Sequence, residues 1–316
     1  MGAAEFTRVH LQPLKRHALL PAGLLLLALT AARHVGRASS PTVVPQRDPL
    51  RTEKVAEGLH VIYGNGGNTA VWATDSGAVV VDSKFEDDGP EIIRQVRTVT
   101  DQPIRFLVTT HHHTDHSYGN AAFPPETVIV AHPTARQQML RNDFVFWKAR
   151  ERGLPKELVD GRKELLKGDD RVEVLHLGRG HTAGDLVVIF PRARAAHLGD
   201  LFVWRQAPGI DLDGGGSAKA FVATMDKLAA RKDIETFIPG HGEVVGRAKF
   251  LEYVEMWRFL HLEAAKAVKE KRTQVQFLND LRLDDFSSWK HWQQLRDHAG
   301  LLFTELSAAA ARGRKK

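Results

Sequence analysis

The segment from residue 111 to 116, which reads His-His-His-Thr-Asp-His, constrains this chain more than any other feature of its sequence. It directly follows residues 104–110, an apolar and β-branched run that predicts a buried strand. Four imidazoles and a carboxylate so close together are costly to pack unless a positive charge holds them. Both groups are ligands of zinc, and a set without sulfur still suits that ion. The segment therefore predicts a metal site at the end of a strand, with a histidine-rich surface loop as the alternative.

Three more potential ligands lie where a predicted strand meets a loop. His181 lies in a glycine-flanked turn between strands, Asp200 ends one predicted strand, and His241 directly follows another. The carboxyl ends of strands are where α/β proteins build binding sites on a rigid frame. The positions of these three residues therefore strengthen the prediction of a metal site.

The rest of the chain predicts an α/β protein. Short strands alternate with helices over residues 53–250, in two successive blocks, which indicates layers of helix and sheet. One helix is expected to follow the strand 128–130 and to run to about residue 150, and Ser217 is expected to cap another that runs to Arg231. Residues 251–316 have helical spacing and form a predicted C-terminal helical extension.

The N-terminal residues 1–38 have the pattern of an export signal or an N-terminal anchor. Basic Lys15 and Arg16 precede an apolar run of 15 residues, which is shorter than the ~20 residues needed to cross a bilayer. The proline-rich residues 39–52 are predicted to be a linker. We therefore expect an exported protein, periplasmic or secreted, whose only membrane association would be through its N-terminal segment.

Charge and cysteine content exclude several classes of function. Of the formal net charge of +6, residues 1–38 hold +4, so the body of the chain is close to neutral. It has no basic stripe with interleaved aromatic residues, which argues against a nucleic-acid partner and for a small-molecule substrate. The absence of cysteine excludes disulfides, thiolate metal sites and a cysteine nucleophile.

Four motifs in this order, H-x-H-x-D-H, G-H-T-x-G, G-D and G-H-G, resemble those of the metallo-β-lactamase superfamily over about residues 53–250. The resemblance implies an αββα sandwich of two similar halves, with the metals at one edge between the sheets. It also implies two zinc ions per chain, although iron and manganese stay open because His/Asp sites accept several metals. The implied ligands are His111, His113 and His181 for one ion, Asp115, His116 and His241 for the other, and Asp200 for both.

The same resemblance implies a hydrolase with two metal ions. Two divalent ions about 3.5–4 Å apart lower the pKa of a shared water from 15.7 toward ~7, so hydroxide becomes available at neutral pH. Asp115 is expected to be the catalytic residue that orients this hydroxide and moves a proton. The expected substrates contain an ester, lactone, thioester or amide bond.

Three alternatives stay open at this point. A true β-lactamase is one, although the main dinuclear branches of those enzymes have Cys or a non-ligating Ser where this chain has Asp200. Phosphodiester hydrolysis is disfavoured because phosphate contacts need clustered Lys and Arg. A metal-binding protein without turnover is disfavoured because such a protein has no need of the full ligand set.

Residues near the predicted ligands have weaker expectations. Asp82 either hydrogen-bonds a ligating histidine or is an ordinary turn residue. Asp185 is expected to cap a turn, His112 to point away from the metals, and Asp211 and Asp213 to belong to a glycine-rich turn. Three aromatic residues are expected either to form an apolar rim for substrate or to pack in the core: Tyr118, Phe202 and Trp204.

Overall fold

Helices cover the outer faces of two β-sheets that pack against each other, which is the α/β class and αββα arrangement expected from the sequence. The computed structural model describes residues 49–313. The predicted export signal and most of the predicted linker lie outside the described residues. Within the described part of the chain, no helix is long and apolar enough to cross a bilayer.

The first sheet contains seven strands in chain order, antiparallel from β1 to β4 and parallel from β4 to β7. The strand β4 is buried along its whole length because both faces of the sheet are covered there. The strands are β1 (Arg51–Ala56), β2 (Leu59–Tyr63), β3 (Thr69–Thr74), β4 (Gly77–Val81), β5 (Ile104–Val108), β6 (Val128–Ala131) and β7 (Glu157–Leu158).

The second sheet contains six strands in the order β13-β12-β11-β10-β9-β8. Only the pair β11 and β12 is parallel. These strands are β8 (Arg162–Leu165), β9 (Val172–Leu175), β10 (Val187–Phe190), β11 (Ala195–His197), β12 (Thr236–Ile238) and β13 (Val245–Gly246).

Eight α-helices complete the described residues. Ser217 caps α5 as expected, because its Oγ accepts a hydrogen bond from the backbone N–H of Ala220 at 3.1 Å. The single helix expected up to residue 150 is wrong: Asp143 interrupts it and caps a second helix through the N–H of Phe146. The helices are α1 (Gly89–Arg97), α2 (Thr114–Ser117), α3 (Pro133–Asn142), α4 (Phe144–Ala149), α5 (Ala218–Ala230), α6 (Arg247–Lys269), α7 (Gln274–Asp280) and α8 (Gln294–Gly313).

Three apolar layers hold these elements together. Trp72 and Phe190 meet between the two sheets, with ring centroids 5.6 Å apart. Ile92 of α1 packs on the outer face of the first sheet. On the outer face of the second sheet, the stacked rings of Phe221 and Trp257 join α5 to α6 with centroids 4.3 Å apart. The C-terminal helices therefore share one core with the second sheet.

Asn68 connects the two sheets at the edge where the predicted ligands lie. It is buried in the loop before β3, and its Nδ2 donates to the carbonyls of Pro239 and Gly242 at 2.9 and 2.8 Å. Its own carbonyl accepts from Nε2 of His197 at 3.0 Å. These bonds hold the loop that carries His241 against the first sheet.

We predict that Asn68→Ala lowers the free energy of unfolding by about 1–3 kcal/mol, because it leaves two buried carbonyls without their donor. Chemical denaturation of the metal-free protein measures this loss. Asn65→Ala, in the same loop but without a side-chain hydrogen bond in the described residues, is the control. Equal stability of the two variants would contradict the role given to Asn68.

Candidate metal centre

Hydrogen bonds to Asp82 hold the backbone at the end of β5, and the following residues turn into the site from there. Thr110 donates to Asp82 through its backbone N–H at 2.7 Å and through its hydroxyl at 2.8 Å. The single turn α2 begins after His113, so that Asp115 and His116 point inward from consecutive positions. A turn, unlike a strand, can direct two neighbouring side chains into one site.

One group of potential ligands contains three histidines and an aspartate: His111, His113, His181 and Asp200. Nδ1 of His113 lies 3.1 Å from Nε2 of His111 and 2.9 Å from Nε2 of His181. His111 and His113 lie between β5 and α2, and His181 lies in the loop between β9 and β10. Two separate segments thus direct ring nitrogens at one point.

A second group lies beside the first and contains Asp115, His116 and His241. Oδ2 of Asp115 lies 3.2 Å from Nε2 of His241 and 3.6 Å from Nε2 of His116. His241 follows β12, and the glycine before it is required by close contact, since a Cβ on Gly240 would overlap Oδ1 of Asp200. This contact explains the first glycine of the G-H-G motif.

Asp200 lies between the two groups. Its Oδ1 is 3.3 Å from Nε2 of His116 and 3.5 Å from Nε2 of His241, and its Oδ2 is 3.7 Å from Nε2 of His181. Oδ1 is buried and receives no hydrogen bond from the described residues. A buried carboxylate oxygen without a donor is costly, and a cation on each side would remove that cost.

The hydrogen bonds behind the histidines show that this site fits metal ions. Nδ1 of His116 donates to Asp82 at 2.7 Å, and Nδ1 of His181 donates to the carbonyl of Gly209 at 2.9 Å. Nε2 of His113 similarly faces Oδ2 of Asp211 at 3.0 Å. A neutral imidazole that donates through one nitrogen has only a lone pair on the other. The lone pairs of His113 and His181 then face each other at 2.9 Å, which a cation bound between them would stabilise.

Electrostatics favours a neutral His111 and an ionised Asp200, which are the forms that metal binding requires. Burial and the neighbouring imidazoles keep the pKa of His111 well below its ordinary value. Burial opposes ionisation of Asp200, but His116 and His241 outweigh it and hold the pKa of this carboxyl well below its ordinary value. Burial would also lower the pKa of His116, yet Asp200 and Asp82 raise it, so that a bound cation would replace a proton there.

The structure brings all seven predicted ligands together at one edge of the sandwich, and their role as ligands stays a prediction. Of the two alternatives for Asp82, the hydrogen bond to a predicted ligand is the one that is present. Asp185 caps a turn as expected, since Thr182 donates to it through its N–H and its hydroxyl. His112 belongs to neither of the two groups and faces Asp211, with Nε2 3.3 Å from Oδ2.

Sequence reasoning missed the contact between Asp211 and a predicted ligand. The expected turn is present, because Oδ1 of Asp211 accepts from the N–H of Gly214 at 2.7 Å. The other oxygen, Oδ2, holds Nε2 of His113. The local sequence of an aspartate that bonds only to its own turn looks the same as that of one that also bonds to a distant side chain. Only the fold therefore reveals this contact.

Two cavities border the predicted ligands. One of about 670 Å³ lies beside His241 and is lined by Trp204. The other, of about 190 Å³, lies beside His113 and Asp115 and is lined by Tyr118. Phe202, in contrast, is fully buried in the core. A larger cavity of about 720 Å³ contains no predicted ligand.

Comparison with known proteins agrees with this geometry. The family model described as "Metallo-beta-lactamase superfamily" matches residues 62–241. The chain is 29% identical over 197 residues to "Metallo-beta-lactamase type 2" of Bacillus cereus, covering 60% of this chain and 72% of that protein. It is 25% identical over 209 residues to "Hydroxyacylglutathione hydrolase" of Mesorhizobium japonicum, covering 62% and 72%.

Solved structures share the fold. The metallo-beta-lactamase FIM-1 of Pseudomonas aeruginosa, in a mono-zinc form, is similar with a TM-score of 0.57 and 18% identity, covering 68% of this chain and 97% of that one. The sec-alkylsulfatase Pisa1 of Pseudomonas sp. is similar with a TM-score of 0.63 and 14% identity, covering 81% and 50%. At these identities the likeness concerns the fold alone.

We predict that Asp211→Asn weakens metal binding roughly 10–100-fold. The carboxylate of Asp211 fixes the tautomer of His113 and raises its basicity, and the neutral amide would do neither. Competition with a chromophoric chelator measures the affinity. Asp213→Asn, an exposed change two residues away, is the matched control. The role of Asp211 would be refuted by equal metal affinity of the two variants.

Proposed function

The chain belongs to the metallo-β-lactamase superfamily and is a metal-dependent hydrolase, and from this premise we propose that it uses two zinc ions to cleave an ester, lactone, thioester or amide. The observation that carries the proposal is the position of Asp200 between two groups of potential ligands. A single ion would need only one of these groups. The donor set of imidazole and carboxylate suits zinc.

The two ions, when bound, would polarise the substrate carbonyl and make a water molecule acidic enough to react at neutral pH. The protein's own contribution is to hold ligands and move a proton. Asp82 and Gly209 keep the Nε2 lone pairs of His116 and His181 directed inward. Asp115 has a partly exposed side chain at the smaller cavity, where its carboxylate can orient a water and accept its proton.

The pKa of Asp115 supports this assignment. Burial opposes its ionisation, but the hydrogen bond from His241 and the charges of His116 and His241 together outweigh burial and lower the pKa below the ordinary value of a carboxyl. The residue is therefore ionised at neutral pH, as a proton acceptor must be. Since it also faces His116, the same side chain links the second group of ligands to the reacting water.

Location and partners are further parts of the proposal. We propose that the protein is exported, on the basis of the charged and apolar pattern of residues 1–38, and that it acts on a small molecule and not on nucleic acid. Any membrane association would be through that N-terminal segment. Cell fractionation of the full chain beside a variant lacking residues 1–38 tests export.

A true β-lactamase is the second candidate, and the relative from Bacillus cereus favours it. Asp200 argues against it, since the main dinuclear β-lactamases are expected to have Cys or Ser at this position. A chromogenic cephalosporin assayed with added zinc separates the two candidates. Rapid hydrolysis of this compound, with slow hydrolysis of esters, thioesters and lactones, would favour the second.

We predict that the purified protein retains two zinc ions per chain and hydrolyses at least one class in a panel of esters, lactones, thioesters and β-lactams. Elemental analysis and initial rates measure the two properties. Removal of the metal with a chelator is expected to abolish turnover, and zinc is expected to restore it. A protein that binds two ions and hydrolyses nothing in the panel would support the alternative of metal binding without turnover.

We predict that His113→Ala and Asp115→Ala each abolish turnover while the protein stays folded, because one removes a ligand and the other the proton acceptor. Circular dichroism and thermal denaturation check the fold. His261→Ala, on α6 and outside both ligand groups, is expected to keep full activity. Full activity of either site variant would contradict the mechanism.

A further inference from the structure

Lys84 is a fully buried cation that the proposed mechanism does not use. Its side chain is 0% exposed, and no other lysine or arginine among the described residues is buried. A lysine is almost never fully buried unless its charge has partners. Burial lowers the pKa of Lys84 to about 8, although three carboxylates oppose this shift: Asp88, Asp82 and Asp115. The side chain therefore keeps its charge at neutral pH at a cost, and the contacts of its ammonium group indicate why.

The ammonium group of Lys84 is bonded to the loop between β2 and β3. Residues 64–67 of this loop read Gly-Asn-Gly-Gly, and we name them the glycine loop. Nζ of Lys84 donates to the carbonyl of Gly67 at 2.5 Å. Glycine loses more conformational freedom on folding than any other residue. A loop with three glycines in four residues therefore needs an anchor to keep one conformation, and Lys84 supplies it.

The glycine loop in turn contacts two predicted ligands of the second group. The N–H of Gly67 donates to the carbonyl of Asp115 at 3.0 Å. A Cβ on Gly67 would overlap the ring of His116, and a Cβ on Gly66 would crowd the carbonyl of Asp115. Gly67 thus bonds to Lys84 through its carbonyl and to Asp115 through its N–H.

The backbone around Lys84 has a conformation that is costly for residues with a side chain. The φ of Lys84 is +55° and that of Asp82 is +62°, both in the left-handed region that favours glycine. Between them, Ser83 donates its N–H to the carbonyl of His116 at 2.8 Å, and the N–H of Gly119 donates to the carbonyl of Lys84 at 3.2 Å. Strain of this kind persists where the surroundings hold it in place, and it concentrates at functional sites.

We propose that Lys84 is a positioning residue, which holds the glycine loop against α2 and thereby fixes Asp115 in the orientation in which it accepts a proton. This inference rests on the proposed function, in which Asp115 is the proton acceptor. It adds to that function a residue that acts through another residue and binds neither metal nor substrate. The charge of Lys84 matters as well as the hydrogen bond, because an ionised donor bonds a carbonyl more strongly than a neutral donor does.

Lys84→Met tests this role because methionine has a similar length and offers no donor. The zinc-loaded protein is assayed with two small substrates, p-nitrophenyl acetate and S-phenyl thioacetate. Ellman's reagent measures the thiol released from the second, since the chain has no cysteine. We expect kcat to fall roughly tenfold and KM to change less than about twofold, because a misplaced proton acceptor slows the chemical step. An unchanged kcat in folded Lys84→Met would overturn the proposal.

Hydrogen exchange measured by mass spectrometry tests the anchor without any need for turnover. We expect the peptide that covers residues 64–68 to exchange roughly tenfold faster in Lys84→Met, the size of one lost hydrogen bond from a charged group. Ile92→Ala, which removes packing on the outer face of the first sheet, is the control for general destabilisation. It is expected to change neither kcat nor the exchange of this peptide. Equal exchange in Lys84→Met and the unmutated protein would refute the anchor.

A chemical rescue separates the charge of Lys84 from the shape of its side chain. Lys84→Cys introduces the single thiol of the chain, which is alkylated in denaturant before the protein is refolded with zinc. Bromoethylamine gives a side chain with the length and charge of lysine, and bromopropane gives the same shape without the charge. Only the charged side chain is expected to restore kcat and slow exchange of the glycine loop. Equal values for the two alkylated proteins would contradict the role of the ammonium group.

The two kinds of measurement distinguish failure of this inference from failure of the proposed function. Faster exchange of the glycine loop in Lys84→Met, without hydrolysis of any substrate by the unmutated protein, would contradict the hydrolase proposal and support the anchor. Hydrolysis at equal rates by Lys84→Met and the unmutated protein, with equal exchange of the loop, would do the reverse.

Discussion

The convergence of imidazole lone pairs at one point is the constraint on which this structure depends. His113 and His181 each face an acceptor on the outer nitrogen, so in the neutral form each has only a lone pair to offer on the inner one. Such lone pairs repel each other unless a cation lies between them. Asp200 adds a buried negative charge at the same place. The edge of the sandwich is therefore organised for positive charge before any substrate is considered.

Much of this arrangement could be predicted from the sequence because strand ends are visible in it. The apolar runs that became β5, β11 and β12 each lead into a predicted ligand. Parallel pairing places the ends of β11 and β12 side by side, and β5 of the other sheet ends near them. Glycines beside the ligands mark close approach, as Gly240 shows against Asp200. The local pattern thus contained the fold class and the seven converging residues, and it offered the hydrogen bond from His116 to Asp82 as one of two alternatives.

What could not be predicted are contacts between segments that are distant in sequence and carry no motif. Asp211 lies 98 residues from His113, and Asn68 lies 171 residues from Pro239. Both belong to ordinary turn sequences, in which aspartate and asparagine commonly bond to their own backbone. The interruption of the expected long helix at Asp143 has the same origin, because a capping aspartate and a mid-helix aspartate look alike without the fold.

Contacts between distant parts of the sequence connect the C-terminal helical segment to the candidate metal centre. His298 of α8 contacts the carbonyl of Pro208 through Nε2 at 2.5 Å, and the next residue, Gly209, accepts from Nδ1 of His181. The same segment places Lys290 at the cavity of about 670 Å³ beside His241. The predicted ligands lie in the sheets and their loops, so this segment borders the site without contributing any of the seven converging residues. A single set of ligands can therefore serve different substrates, with the selection made by residues outside it.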